Sequence, residues 1–186
     1  SDRLIKNGLL PQPLPKLLLP DNIQDIIFKK VNEQYPQGNP EGDRLWNRYV
    51  DALPKLDRLL RNYRDYLEAT YGMWSYVNAP YIKALSEYLH GRPTLEIMAG
   101  NGYISSGLRN LRPAQTIFAT DSTDWTKENE TGKHPVTTIE PLDALAAIKK
   151  YGSQVDYVIM SWSPDKLEID WEVLQLLRKD SPELKL

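Results

Sequence analysis

The sequence predicts an α/β protein in which a doubly wound, mainly parallel sheet follows an N-terminal helical extension. Three observations support this prediction. From residue 92 onward, short apolar segments alternate with helix-forming segments, the pattern of βαβ units. The first apolar segment ends in two glycines, Gly100 and Gly102, which open the next helical segment. Residues 21–91 show helical periodicity and no strand pattern.

Composition limits the class of protein. The chain has 186 residues, of which 41% are hydrophobic and 26% charged, which suits a packed domain with an extension. The net charge of -2 argues against general binding to nucleic acid, which needs a basic face. There is no cysteine, so disulfides, thiolate metal ligands and cysteine nucleophiles are excluded.

The two histidines, His90 and His134, lie far apart in the sequence, and no metal site is predicted. No apolar run reaches the roughly 18 residues of a membrane span, and the first residues do not resemble a signal peptide. We therefore expect a soluble, cytoplasmic protein without a membrane partner, and its oligomeric state stays open.

The N-terminal half is predicted to be an extended arm followed by three or four helices. Residues 1–20 contain four prolines, which prevent a helix and favour an extended arm. In residues 21–91, Asp21 is expected to cap the first helix and Pro54 to interrupt or kink the second. Gly72 is expected to end that second helix. For the last helix, we expect Asn78 as the cap, Pro80 in the first turn and Gly91 at the end.

Residues 92–186 are predicted to form the ligand-binding domain. Its strands are expected in "RPTLEIMAG", "AQTIFATD", "VTTIE" and "VDYVIMSW". Its helices are expected in "NGYISSGLRNL", in "PLDALAAIKKYG" with Pro141 at the start, and in "DWEVLQLLRKD". Leu184–Leu186 look like the start of a fifth strand. Because strand four would otherwise be an open apolar edge, we expect a fragment whose last strands are missing.

The glycine turn lies where ligands bind in doubly wound sheets, outside the carboxyl ends of the strands. The missing side chains of Gly100 and Gly102 let the backbone approach a ligand, although such turns also occur for packing alone. Asp121 follows Gly100 by 21 residues, a spacing typical of a carboxylate that binds ribose hydroxyls. Asp121 could also cap a turn, and Asp124 competes for the same role.

Two nucleotide ligands fit this pattern, NAD and S-adenosylmethionine (SAM). The dinucleotide fingerprint G-x-G-x-x-G needs a third glycine, and the chain has Ser105 there. Glu96 precedes Gly100 by four residues. An acid at this place repels a diphosphate but suits a cation, such as the ammonium of a methionine moiety.

The segments "LEIMAGNG", "FATD", "LDAL" and "DYVIMSWSP" resemble the class I SAM-dependent methyltransferases, over about half of the chain. The resemblance implies a Rossmann-like, seven-stranded sheet and SAM as methyl donor. It implies that Asp121 binds the ribose and that Asp143 and Ala144 contact the adenine, although Asp143 equally suits an ordinary first-turn acid. The implied cofactor-binding residues are Glu96, Met98, Ala99, Gly100, Asn101, Gly102, Asp121, Ser122, Asp143, Ala144 and Ser161.

Two departures from the family pattern are visible. Met98 stands where the family has its first glycine. The stretch "SWSP", which begins at Ser161, lacks the Asn or Asp of members that methylate amino groups, which argues against methylation of adenine or cytosine amino groups. The three acids of a metal-dependent catechol-type site are also missing from the expected places.

An aromatic cluster, "YGMWSYVNAP", precedes the last predicted helix of the extension. Its Tyr71, Trp74 and Tyr76 are predicted to form a lid over the donor, or else to pack the helices on the sheet. Trp162 is expected to line the same pocket, while Trp125 suits either a pocket or a surface position.

Methyl transfer from a sulfonium needs alignment of the nucleophile and the methyl group more than a dedicated base. The catalytic residue is therefore unknown, with Asp165 as the candidate base and His134 as a residue better suited to the surface. The sequence predicts a SAM-dependent methyltransferase acting on a small molecule or a protein side chain. The alternatives are a SAM-binding interaction or sensor module without catalysis, and an NAD-dependent oxidoreductase.

Overall fold

Six α-helices and four β-strands make up the described part of the chain. The computed structural model describes residues 19–124, 135–161, 163, 168–180 and 183–185. The predicted arm therefore lies outside the described residues except at its last two positions. The helices are α1 (Ile23–Gln34), α2 (Pro40–Tyr71), α3 (Ala79–Leu89), α4 (Tyr103–Leu111), α5 (Ala144–Tyr151) and α6 (Ile169–Asp180). The strands are β1 (Thr94–Ile97), β2 (Ile117–Asp121), β3 (Glu140–Pro141) and β4 (Tyr157–Met160).

The four strands form one sheet in the order β3-β2-β1-β4, and all the pairs are parallel. In the central strand β1, Leu95 lies beside Phe118 of β2 on one side and Val158 of β4 on the other. All four residues of β1 are buried. The predicted α/β class with a parallel sheet is confirmed.

Helices pack on both faces of β1. Successive side chains of a strand point to opposite faces, so neighbouring residues of β1 contact different helices. Leu95 and Ile97 belong to a core cluster with side chains of α5 and α6. Glu96 points to the other face, where it bonds to Ser105 of α4. Helix α3 packs tightly behind α4, since a Cβ on Gly107 would lie 2.9 Å from Ile82 Cγ1. This layering places the end of β1 between helices on both sides.

The internal contacts divide the chain into two compact units, one ending at Tyr66 and the other beginning at Leu67. The first holds α1 and most of α2, and the second holds α3 and the whole sheet. Every residue discussed for the candidate site belongs to the second unit.

Two predictions for the helical region differ from the structure. Asp21 does not cap α1: the N-cap residue is Asn22, whose side chain makes no capping hydrogen bond. Pro54 does not interrupt the second helix, since α2 runs unbroken from Pro40 to Tyr71, and the alternative of a kink at Pro54 stays a prediction. A proline inside a helix removes only one backbone bond, and a long helix retains the bonds of the flanking turns. Gly72 does end α2, at φ +56°.

The last helix of the extension agrees with its predicted signals. The Asn78 side chain accepts a hydrogen bond from the Tyr81 N–H, and Pro80 lies in the first turn. Helix α3 ends one residue before His90, which adopts the left-handed conformation, as does Gly91.

The second half of the sheet differs in detail from the prediction. Strand β3 covers only Glu140 and Pro141, so "VTTIE" forms a strand at its last residue alone. Pro141 therefore does not start α5, whose N-cap is Asp143. At the far edge, Lys185 forms a parallel bridge with Tyr157, and the Val158 N–H donates to the Lys185 carbonyl at 2.8 Å. The predicted fifth strand is thus present as one bridge beside β4.

Candidate functional site

The turn from β1 to α4 places every second residue in the left-handed backbone region. Met98, Gly100 and Gly102 have φ values of +53°, +55° and +78°. Glycine adopts this region freely, whereas a residue with a Cβ is strained there. Glycine would therefore fit all three positions without strain, and the chain has it at two of them. Met98 keeps the same turn and carries the strain of its side chain.

The two glycines face different surroundings. A Cβ on Gly102 would lie 2.7 Å from Thr137 Cγ2, so the neighbouring segment fills the space beside it. A Cβ on Gly100 would lie 3.5 Å from Trp74 Cδ1, which is ordinary contact. Gly102 is therefore required for packing, while Gly100 leaves the backbone open toward Trp74.

Asp121 holds the glycine turn in place. Its Oδ2 accepts the Gly100 N–H at 2.8 Å, and its Oδ1 accepts the Thr123 N–H at 2.7 Å. The residue is only 4% exposed. The predicted ribose-binding acid is thus beside the turn, where it also fixes the backbone.

Glu96 is a buried carboxylate under the start of α4, with 3% of its surface exposed. Its Oε2 accepts the backbone N–H of Ser105 at 3.0 Å and the Ser105 hydroxyl. Burial raises the pKa of Glu96 to about 7, and Asp121 adds to that increase. The hydrogen bonds from Ser105 and the charge of Arg109 act in the opposite direction. Among the described residues, no cationic side chain forms a salt bridge with Glu96.

A cleft opens at the carboxyl ends of β1 and β4. Its cavity volume is about 40 Å³, and the cleft is open to solvent. Seven of its lining residues are predicted site residues, and they come from the glycine turn, the end of β4 and the predicted lid. The cleft is lined by Gly72, Trp74, Ser75, Val77, Glu96, Met98, Ala99, Gly100, Asn101, Tyr103, Ile104 and Ser161.

Residues 71–77 form one wall of this cleft and are called here the wall segment. Asn101 Nδ2 donates to the carbonyls of Tyr71 and Gly72, at 3.3 Å and 3.2 Å. The hydroxyl of Tyr103 donates to the Tyr71 carbonyl at 2.7 Å, and burial raises the pKa of Tyr103 to about 12. The wall segment is therefore hydrogen-bonded directly to the residues of the glycine turn.

The other end of the wall segment is tied to β4. The hydroxyls of Ser75 and Ser161 share a hydrogen bond of 2.8 Å, and Met73 and Val77 are buried. Trp74 lines the cleft, as predicted for the lid. Tyr71 contributes its backbone carbonyl, and Tyr76 is not among the lining residues.

Several residues that were predicted to bind the cofactor make contacts within the protein. Asp143 accepts the Ala146 N–H at 2.8 Å as the N-cap of α5, and Ala144 is buried in the core. Ser122 is exposed, and its Oγ lies 3.4 Å from the donor N–H of Asp124. Their contacts with an adenosine remain predictions. Trp125, His134, Trp162 and Asp165 lie outside the described residues.

Sequence reasoning missed several residues of the site. Ser75 was missed because a small hydroxyl residue between aromatics carries no recognisable signal. Tyr103 was read only as the start of a helix, although its place directly after Gly102 puts it at the turn. Gly72 was read only as a helix end, and the same glycine lets the chain turn into the wall of the cleft.

No helix in the described ranges has the length and apolar character needed to cross a membrane. The same ranges hold no group of three or more His, Asp or Glu side chains placed to bind a metal ion. Comparisons with protein-family models, with curated proteins and with solved structures found no match to this chain. The functional interpretation therefore rests on the chain's own residues and their geometry.

Proposed function

We propose that the chain binds SAM in the cleft and transfers its methyl group to a small molecule or a protein side chain. The observation that carries this proposal is Glu96, a buried carboxylate at the base of a glycine turn without a salt-bridge partner among the described residues. A buried carboxylate in a protein is normally paired with a cation or neutralised by a proton, and its raised pKa shows the cost of leaving Glu96 charged without a partner. A cationic group in the cleft would supply the missing partner, and SAM carries an ammonium on its methionine moiety.

The glycine turn supports the same ligand. The left-handed conformations at 98, 100 and 102 reproduce the spacing of the motif E/D-x-G-x-G-x-G on which the resemblance rests. Gly100 lines the cleft without a side chain, so the backbone there is open to a ligand. The strand order β3-β2-β1-β4 is the order of the first four strands of a Rossmann-like sheet, with Lys185 beside β4 where the next strand follows.

NAD fits these residues less well. A dinucleotide places its diphosphate on the free N–H groups at the start of the helix after the turn. In this chain Glu96 already accepts the N–H of Ser105, the third residue of α4. A carboxylate at the same helix end would repel a diphosphate.

The residues of the cleft would serve in binding and alignment. SAM supplies a methyl group already activated on a sulfonium. Glu96 would neutralise the ammonium, and Asp121, beside the glycine turn, would accept hydrogen bonds from the ribose hydroxyls. Trp74, Ser75 and Ser161 line the cleft, and a bound donor beside them would be held for in-line approach of an acceptor to its methyl group.

Calorimetric titration with SAM, S-adenosylhomocysteine and NAD tests the proposal. We expect the first two to bind and NAD not to bind. Glu96→Gln keeps the size of the side chain, removes its charge and should weaken SAM binding by about 10–100-fold, the worth of a hydrogen bond to a charged group. Asp121→Ala should also weaken it. Glu87→Gln, at an exposed acid of α3, is the matched control and should bind like wild type.

The outcomes separate the candidates. Binding of NAD without SAM would overturn the proposal. Unchanged affinity in both Glu96→Gln and Asp121→Ala would overturn the site. A SAM-binding module without catalysis is the second candidate, because Ser161 bonds to Ser75 where amino-methylating enzymes have Asn or Asp. Tight binding of SAM without turnover on amine, hydroxyl, thiol, carboxyl and peptide acceptors would favour that module.

A further inference from the structure

The cleft is open to solvent but small for the ligand proposed for it. Its cavity volume is about 40 Å³. A cavity of this size has room for a few water molecules, at roughly 10–15 Å³ each. Sites that enclose a small ligand or cofactor have volumes of about 300–1,000 Å³. Under the proposed function, part of the lining must therefore move before the methionine end of SAM can reach Glu96.

Trp74 occupies the space that a ligand on the glycine turn would need. Its Cδ1 lies 3.5 Å from the place where a Cβ on Gly100 would be, so the indole is in contact with this side of the turn. The side of Gly102 is filled by Thr137, which Arg109 holds through a hydrogen bond of 2.7 Å. A ligand that contacts the backbone at Gly100 must therefore displace the indole.

Only a short part of the wall segment is placed to move, because both of its flanks are anchored. Met73 is fully buried on one flank, and Val77 is 2% exposed on the other. The Gly72 N–H also donates to a carbonyl in the last turn of α2 at 2.8 Å. Residues 74–76 lie between these anchors, partly buried and outside any helix or strand. They can change position while the anchors and the core stay in place.

A hydrogen bond between two side chains ties this short loop to the sheet. The hydroxyls of Ser75 and Ser161 lie 2.8 Å apart, and Ser161 directly follows Met160, the last residue of β4. The bond therefore joins the wall segment to the end of a strand at the other side of the cleft. A hydrogen bond between neutral groups adds only a few-fold to an equilibrium constant. It is weak enough to break and re-form, as a latch must.

We propose that residues 74–76 are a gate over the glycine turn, latched by the Ser75–Ser161 hydrogen bond, and that a ligand enters when this bond breaks and Trp74 leaves Gly100. The proposal rests on the proposed function for the identity of that ligand. The gate lies mainly over the turn in the free chain, so the apparent affinity is reduced in proportion to the open fraction. Loss of the latch should therefore strengthen binding, whereas loss of a ligand contact would weaken it.

The sign of the effect of Ser75→Ala on binding tests the latch. Calorimetric titration should show that this variant binds SAM and S-adenosylhomocysteine about 3–10-fold more tightly than wild type, the worth of one neutral hydrogen bond. Ser153→Ala, at an exposed serine after α5, is the matched control and should bind like wild type. Weaker or unchanged binding in Ser75→Ala would overturn the proposal.

A disulfide in place of the latch tests the movement itself. Because the chain has no cysteine, Ser75→Cys combined with Ser161→Cys allows a single intramolecular disulfide. Hydroxyls 2.8 Å apart bring the two Cβ atoms near the separation of about 3.5–4.5 Å that a disulfide needs. The reduced protein should bind SAM at least as tightly as wild type, and the oxidised protein about 100-fold more weakly. Equal affinity in the two redox states, with the crosslink verified by mass spectrometry, would overturn the gate.

A measurement without ligand separates this proposal from the proposed function. If wild type binds neither SAM nor S-adenosylhomocysteine, the proposed function fails, and amide exchange decides on the gate. Exchange in residues 74–77 should be about 3–10-fold faster in Ser75→Ala than in wild type, with α5 unchanged as the internal control. Equal exchange rates in 74–77 would overturn the gate. If the disulfide does not form, the effect of Ser75→Ala on binding and exchange decides.

Discussion

Glu96 is the residue on which the site depends, and its burial has a measurable cost. The pKa of Glu96 is raised from 4.5 to about 7, with burial as the main cause. Below pH 4.5 it is protonated in both the folded and the unfolded chain. As pH rises from about 4.5 to about 7, the unfolded chain releases the proton while the folded chain keeps it. The contribution of Glu96 to the free energy of unfolding should therefore fall between pH 4.5 and about pH 7 and stay constant above that range.

We predict that this loss is about 2–3 kcal/mol between pH 5 and pH 8, since each pKa unit corresponds to 1.36 kcal/mol. Urea unfolding gives the free energies of unfolding of wild type and of Glu96→Gln at both pH values. The predicted loss is the change in the difference between the two proteins from pH 5 to pH 8. Glu87→Gln, at an exposed acid, should follow wild type. Parallel pH profiles for wild type and Glu96→Gln would show that Glu96 does not titrate in this range.

Met98 is the residue at which the turn is strained, because its φ of +53° is a conformation that favours glycine. Met98→Gly should relieve about 1 kcal/mol of backbone strain while losing part of the side-chain packing on the core. We predict a net change within about 1 kcal/mol. Met160, the last residue of β4, is also partly buried against this core cluster, and it serves as the comparison. Met160→Gly should cost about 2–4 kcal/mol, because packing is lost without relief of strain.

Chemical denaturation of both variants provides the comparison. A loss at Met98 as large as the loss at Met160 would mean that the left-handed backbone carries no strain in this turn. The pair also shows which part of the motif the sequence could predict. The spacing of the two glycines could be predicted from the sequence. The tolerance for methionine at position 98 could not, because it depends on packing against residues that are distant in the sequence.

The wall segment lines the cleft and is held there by hydrogen bonds to its neighbours. Tyr103 is 6% exposed and holds this segment through one hydrogen bond of 2.7 Å to the Tyr71 carbonyl. Tyr103→Phe removes the hydroxyl alone and leaves the ring. We predict that it destabilises the segment locally by about 1 kcal/mol and speeds amide exchange in residues 72–77 about fivefold.

Hydrogen exchange followed by mass spectrometry measures this change in peptides covering the wall segment. Tyr88→Phe is the matched control, because Tyr88 lies 62% exposed on α3. It should leave exchange in 72–77 unchanged. Equal rates in Tyr103→Phe and wild type would show that buried apolar residues such as Met73 hold the segment, rather than its hydrogen bonds.

For the helices and strands, the sequence predicted the type of each element better than the residues at which it begins and ends. The parallel strands were predictable because short apolar runs alternate with helical patterns. Strand β3 was overestimated, since only Glu140 and Pro141 pair with β2 and the apolar residues before them serve packing instead. The helix after it starts at the cap Asp143 and not at Pro141, because a side-chain acceptor at the N-cap outweighs the preference of proline for a first turn.

At the scale of the whole molecule, the two compact units have different contents. The unit from Leu67 onward holds the sheet, the glycine turn and the cleft, and the unit ending at Tyr66 holds α1 and most of α2. The cleft could be placed from the sequence because ligands bind at the carboxyl ends of parallel strands. Its wall could not, because the hydrogen bonds between Asn101 and the end of α2 join residues 29 and 30 positions apart in the chain.

This division leads to a prediction about where a ligand stabilises the molecule. Under the proposed function, SAM at 100 times its dissociation constant should stabilise the folded form of the unit that binds it by about 2.7 kcal/mol. Amide exchange through unfolding of that unit should then slow about 100-fold in β1, β2 and α4. Exchange in α1, whose residues make the other unit, should change much less. Mass spectrometry of exchanged peptides with and without SAM measures both regions in one sample, with NAD as the control ligand. Equal protection of α1 and β1 would mean that the two units unfold together and that ligand binding is transmitted through the whole chain.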